Sequence, residues 1–250
     1  MKFLASYSTS IQSESRFSCL EFVLYFFMER DEVDKNQQGI EFMREGKWEE
    51  AAKIFMEAIE ENPGDAVSYI NFGNVLTAVG ENEKALNFFE KAIHLDENAA
   101  AAYYSAGNLY FENENLEAAK NMFEKAMQKG LNSSDNFFML GLTLIQLEQP
   151  RLALPYLQRS VELSGSDAEA RFQYGLCLAG LELIDEAIIQ FKECINIDQD
   201  HADAYYNLGV AYGFKEDGEE ALAMFEKALE IQPDHMLAGY GKKLIEKGME

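Results

Sequence analysis

The chain has 250 residues, 48% of them hydrophobic and 26% charged, with four prolines, which is the composition of a soluble, structured and largely helical protein and excludes a disordered one. Forty-four acidic residues against 21 basic ones leave a formal net charge of −23, which repels phosphate backbones and anionic lipid headgroups and so argues against nucleic acid and membrane surfaces as partners. Three cysteines, Cys19, Cys177 and Cys194, form neither a close metal-ligand spacing nor an even disulfide framework, which fits a reducing, cytoplasmic setting.

Residues 1–31 stand apart from the rest of the chain. The stretch from Phe17 to Met28 is more apolar than any later segment, but it is shorter than the ~20 apolar residues of a spanning helix and Glu21 interrupts it. A secretory signal would have a basic start, an earlier apolar core and a small-residue cleavage site, and none is clear here. Three readings stay open: a segment packed on the next unit, an anchor to a membrane or partner, and a start codon assigned upstream of the true one. The third is favoured, with Met28 as the alternative start, because the charge density of the rest of the chain begins at Glu29.

From residue 32 the chain repeats every 34 residues, six times without insertion, as 32–65, 66–99, 100–133, 134–167, 168–201 and 202–235. Gly39, Gly73, Gly107, Gly141, Gly175 and Gly209 mark the period, and twelve residues after each stands Ala51, Ala85, Ala119, Ala153, Ala187 or Ala221. Four residues further comes Phe55, Phe89, Phe123, Leu157, Phe191 or Phe225, and three beyond that Ala58, Ala92, Ala126, Ser160, Cys194 or Ala228. That spacing is helical, and so is the upstream pattern of Tyr69, Phe72 and Leu76 or of Tyr205, Leu208 and Tyr212. Each unit is therefore two antiparallel helices, whose close approach needs a small residue opposite a large one. One such pair cannot bury both faces, so successive pairs must stack.

Asp65 and Asp167 stand where first helices should begin, as capping residues. The fourth unit departs most from the pattern, with Ser160 for alanine, Gly165 for proline, Pro150 at a helix start and Pro155 inside the second helix, where a bend is expected. Residues 236–250 read as a closing helix whose Lys242, Lys243 and Lys247 face solvent.

Tyr205, Leu208, Gly209, Tyr212, Ala221, Phe225, Ala228 and Pro233 together resemble the tetratricopeptide repeat family, and the resemblance covers residues 32–235. It implies an all-α fold, a right-handed superhelical solenoid of antiparallel helix pairs, whose concave face binds proteins or peptides.

The first helix of each unit has a second face, spaced 4 and 3 residues apart, that should line this concavity. It carries Ile70, Asn74 and Thr77; Tyr104, Asn108 and Phe111; Phe138, Leu142 and Ile145; Phe172, Leu176 and Ala179; and Tyr206, Val210 and Gly213, with Asn71 beside its start. Tyr104, Phe138, Phe172 and Tyr206 occupy one equivalent place, either as a ladder for an extended peptide or as packing between neighbouring first helices. Asp135, Glu169 and Asp203 make the later groove edge acidic where Val33, Val67 and Ala101 stand earlier, so the expected ligand is apolar with basic residues. The same carboxylates could equally serve solubility alone. The basic groove residues of a carboxylate clamp are absent, and Ile70 stands where such a clamp needs lysine.

No cofactor, metal or catalytic activity is expected. The glycines are not followed by a Gly-Lys-Ser/Thr triplet, and of His94, His201 and His235 two share a place in adjacent units, on helices spaced ~8–10 Å apart. The function so read is a monomeric adaptor holding a partner's peptide segment; the alternative is a structural subunit that assembles through its ends or its N-terminal segment.

Overall fold

The computed structural model describes residues 34–249, and the apolar segment from Phe17 to Met28 lies outside them. Thirteen helices succeed one another among the described residues: α1 (Lys35–Arg44), α2 (Trp48–Glu61), α3 (Ala66–Ala78), α4 (Asn82–Leu95), α5 (Ala100–Glu112), α6 (Leu116–Gln128) and α7 (Ser134–Gln146), then α8 (Pro150–Leu163), α9 (Ala168–Gly180), α10 (Ile184–Ile197), α11 (Ala202–Phe214), α12 (Gly218–Ile231) and α13 (Met236–Met249).

Each odd-numbered helix packs on the even-numbered one after it, and each even one on the next odd one. Odd helices also touch the next odd helix along the whole stack, whereas even helices do not touch one another. The odd set therefore lies on the shorter, inner radius of a right-handed superhelix and the even set on the outer one.

The recurrent glycines are explained by what faces them. A Cβ added to Gly73 would lie 2.5 Å from a ring carbon of Phe89, and one added to Gly209 would lie 2.8 Å from the ring of Phe225. In α7 the same place is taken by Gly141 against Leu157, at 2.6 Å. These large side chains are sealed, since Phe55, Phe123, Phe191 and Leu157 expose nothing to solvent. Each contributes roughly 2–5 kcal/mol if judged by truncation to alanine.

Helix starts obey local chemistry. The carboxylate of Asp65 accepts from the N–H groups of Val67 and Ser68, and Asp167 accepts from Ala170. Pro150 sits in the first turn of α8, where its missing N–H costs nothing, and the helix runs on through Pro155 to Leu163.

The turns inside the pairs hold a feature that the repeat pattern does not announce. Gly46 and Gly80 adopt positive φ in the first two, and in the next four the same place is held by Glu114, Glu148, Glu182 and Glu216, with φ between 58° and 63°. A left-handed conformation costs a residue with a Cβ roughly 1–2 kcal/mol.

In the closing helix Lys243 and Lys247 are exposed, as expected, and Lys242 departs from the expectation. Lys242 pairs with Glu226 of α12 at 2.7 Å, and Ala238 and Gly241 pack inward, the latter against the ring of Phe225. The residues left open on α13 include Lys243, Glu246 and Lys247 together with an apolar set, Met236, Leu237, Tyr240 and Leu244, all four more than half exposed. Lys242 lies at the seam with α12 because the carboxylate that neutralises it is there.

Candidate peptide-binding groove

The predicted groove residues all lie on the inner, odd-numbered helices, but they differ in how far they open to solvent. Ile70 is 7% exposed and belongs to the core around Phe89 and Ala106. Phe172 is also buried, with its ring centroid 6.0 Å from that of Phe191 and 4.6 Å from the imidazole of His201. Tyr104 lies against Phe123 at 5.8 Å, and Tyr206 against Phe225 at 5.9 Å, and both remain half-buried. Phe111 and Phe138 are half-buried against the core formed by Leu140, Leu144 and Leu157. Leu142 is half-buried as well. The aromatics therefore rest one edge on the core, and Tyr104, Phe138 and Tyr206 keep another open to solvent.

The N-terminal half of the groove is polar, and its amides are tied to one another. Asn71 Nδ2 donates to Asn36 Oδ1 at 3.0 Å, linking α3 to α1, and Asn36 Nδ2 donates to Asp65 Oδ2 at 2.9 Å and to Ser68 Oγ at 3.0 Å. Ser105 Oγ donates to Asn74 Oδ1 at 3.0 Å, linking α5 to α3. The side-chain oxygen of Asn108 is buried without a partner. Burial pushes the Tyr104 phenol up, and a side-chain hydrogen bond with Asn108 opposes it. Asn36 was missed by sequence reasoning, although it holds in α1 the place that Ile70 and Tyr104 hold in later units.

At the other end Asp135, Glu169 and Asp203 are exposed on the first turns of α7, α9 and α11. Two of them face histidines. His235 Nδ1 accepts from the N–H of Ala238, so its proton sits on Nε2, which donates to Asp203 Oδ1 at 3.1 Å. His201 repeats the arrangement one unit earlier, accepting from Ala204 N–H while its Nε2 lies 3.9 Å from Glu169 Oε2. These histidines start the next inner helix, and their place at the end of a unit was the signal that could have identified them as caps. Among the described residues no cluster of three or more His, Cys, Asp or Glu could hold a metal, and no helix is long and apolar enough to cross a membrane. Burial pushes the Cys194 thiol up to about 12, the state of a small core residue and not of a nucleophile.

The family model for the tetratricopeptide repeat matches residues 202–235, and one for the TPR repeat matches 73–114 and 183–213. That of anaphase-promoting complex, cyclosome, subunit 3 matches 112–194. The crystal structure of YrrB, described as a TPR protein with an unusual peptide-binding site, superposes with a TM-score of 0.73 at 56% identity, over 77% of this chain and 99% of that one. The chain belongs to the tetratricopeptide repeat family. Direct sequence similarity to the TPR repeat-containing protein YrrB of Bacillus subtilis (strain 168) is 56% over 39 residues, which is 16% of this chain and 19% of the relative. Other TPR-like structures share the fold at lower identity: PilF of Pseudomonas aeruginosa, 20% identical with a TM-score of 0.73 over 82% of this chain and 94% of that one, and MamA of Desulfovibrio magneticus RS-1, 23% identical with a TM-score of 0.63 over 68% and 97%.

Proposed function

We propose that this protein is a cytoplasmic, non-enzymatic, monomeric adaptor that holds an extended segment of a partner protein in its concave groove, the segment being apolar in its middle and basic where it lies over α7 to α11. The observation that carries the reading is the set of half-buried Tyr104 on α5, Phe138 and Leu142 on α7 and Tyr206 on α11, which presents aromatic and aliphatic edges on the inner helices and is interrupted at α9, where Phe172 is buried. Rigid aromatics supply contact area at low entropy cost, and a periodic strip suits an extended chain. Asn71, Asn74 and Asn108 adjoin the start of the row with groups able to donate to and accept from a peptide backbone. Likeness to YrrB, whose structure is described as having a peptide-binding site, adds to this reading.

Ile70 and Phe172 have a lesser place in it, as supports of the groove wall, because both are buried. The experiment is capture of partners from native lysate by wild type and by the double variant Tyr104→Ala with Phe138→Ala, identified by mass spectrometry. The same prey is expected with wild type and is lost with the variant, and unchanged capture by a folded variant overturns the reading.

A second reading, a subunit that self-assembles through its end, draws on the apolar face of α13, where Met236 is 85% exposed and Tyr240 63%. Light scattering at micromolar concentration separates the two, since a stable dimer lost in Leu237→Glu with Tyr240→Glu would favour assembly.

A further inference from the structure

A cavity of about 380 Å³ opens beside the groove between α7 and α9, at the lower end of the ~300–1,000 Å³ range of ligand clefts. Its walls are Ile145 near the end of α7, Glu148 and Pro150 from the turn into α8, and Gln173, Leu176, Cys177 and Gly180 of α9. Ile145 and Leu176 are groove positions, so the cavity is continuous with the proposed peptide path. Its floor includes the buried Cys177. Cys177 is 3% exposed, and its thiol donates to the carbonyl of Pro150 at 3.4 Å.

Gly180 leaves the cavity open, and the fold does not require a glycine there. A Cβ placed on it meets no heavy atom within 4 Å, and its φ is not in the left-handed region. Glycine in place of alanine costs a helix roughly 1 kcal/mol. The last residue of α1, α3, α5, α7 and α11 is Arg44, Ala78, Glu112, Gln146 and Phe214 respectively. The same combination returns two units on, where Gly213, Glu216, Gly218, Leu244, Ile245 and Gly248 border a second cavity of about 310 Å³.

We propose that the cavity between α7 and α9 is an anchor subsite, taking one leucine- to phenylalanine-sized side chain of a peptide whose next residue is a lysine or arginine paired with Glu148. The inference rests on the groove reading above and names the anchor within it. Charge complementarity selects this occupant: the walls are apolar except at Gln173, the exposed carboxylate of Glu148 stands at the mouth, and the whole chain carries −23. A hydrophobic pocket with one charge at its lip favours an apolar side chain beside a cation over an acidic neighbour.

The test uses the full chain, ¹³C-labelled at isoleucine and leucine methyls. The probes are N-acetyl-phenylalaninamide and two nine-residue glycine–serine peptides carrying Phe-Lys or Phe-Glu at the centre. N-acetyl-phenylalaninamide should shift the Ile145 and Leu176 methyls of wild type and leave those of Gly180→Phe unmoved, a variant that borrows the side chain α11 has at this place. The Phe-Lys peptide should bind roughly tenfold or more tightly than Phe-Glu, and Glu148→Gln should remove that preference. Circular dichroism confirms that both variants are folded. Absent shifts in wild type, or equal shifts in Gly180→Phe, overturn the subsite. Equal binding of the two peptides overturns the basic neighbour. If the capped amino acid binds and neither peptide binds more tightly than it does, the subsite stands and the peptide-groove reading falls.

Discussion

The imidazole of His235 joins two elements at once, accepting from the N–H of Ala238 through Nδ1 and donating from Nε2 to the carboxylate of Asp203 at 3.1 Å. One ring thereby starts α13 and orients a groove-edge charge on α11, while its face lies 5.1 Å from the ring of Tyr206. His235→Ala should lower stability by about 1 kcal/mol through loss of the cap, and His235→Asn should retain most of it. Chemical denaturation of both variants checks this, and equal losses would mean that ring packing matters more than the cap.

The glycines of this chain divide into those the packing requires and those it does not. Gly73→Ala drives a Cβ to 2.5 Å from the Phe89 ring and should destabilise by about 1–3 kcal/mol, as overpacking does. Gly180→Ala meets nothing and should stabilise by up to about 1 kcal/mol from helix propensity alone. Opposite signs in thermal denaturation are the expected result.

The sequence made the scaffold legible because its pattern is dominated by side chains whose role is steric. Gly209 and Phe225 are linked by a contact that repeats with the period, and the period itself separates inner from outer helices. The groove was less legible, since one place on an inner helix can be core or surface depending on its neighbours. Phe172 sinks between Phe191 and His201, whereas the equivalent Phe138 stays half-open. The left-handed glutamates could have been inferred from alignment with Gly46 and Gly80, but glutamate itself carries no signal for positive φ. The inward turn of Lys242 depends on where Glu226 lies across the seam, which spacing along one helix does not reveal.

Asp65 supplies a pH dependence with a definite sign. Burial pushes its carboxyl up, but hydrogen bonds from Ser68, from Asn36 and from the N–H groups of Val67 and Ser68 outweigh this and hold it below the ordinary carboxylate value. A depressed folded-state value means stability that is fully present above the unfolded value of ~3.9 and is lost as pH falls through the folded one. Asp65→Asn should therefore narrow the stability difference from wild type on acidification from pH 5 to below 3, measured by urea denaturation. A constant difference across that range would show that the charge of Asp65 is not what holds the turn.

Asp135, Glu169 and Asp203 are exposed, and on the proposed reading a basic segment arrives over them and is attracted before any contact forms. Such potentials change encounter rate more than dissociation and are screened beyond ~8 Å at physiological salt. The double variant Glu169→Lys with Asp203→Lys should slow association with a captured partner and flatten its salt dependence, leaving dissociation nearly unchanged. Asp203 also accepts from His235, so reversing its charge puts an ammonium beside the imidazole and disturbs the start of α13. Glu169→Lys alone avoids much of this, since His201 lies 3.9 Å from it and caps α11 independently through Nδ1. Stopped-flow association across a range of salt concentrations on either side of the physiological value should thus give a partial slowing for the single variant and a larger one for the double. If neither salt nor charge reversal alters the rate, these carboxylates serve solubility and helix ends, and steering has no part in partner choice.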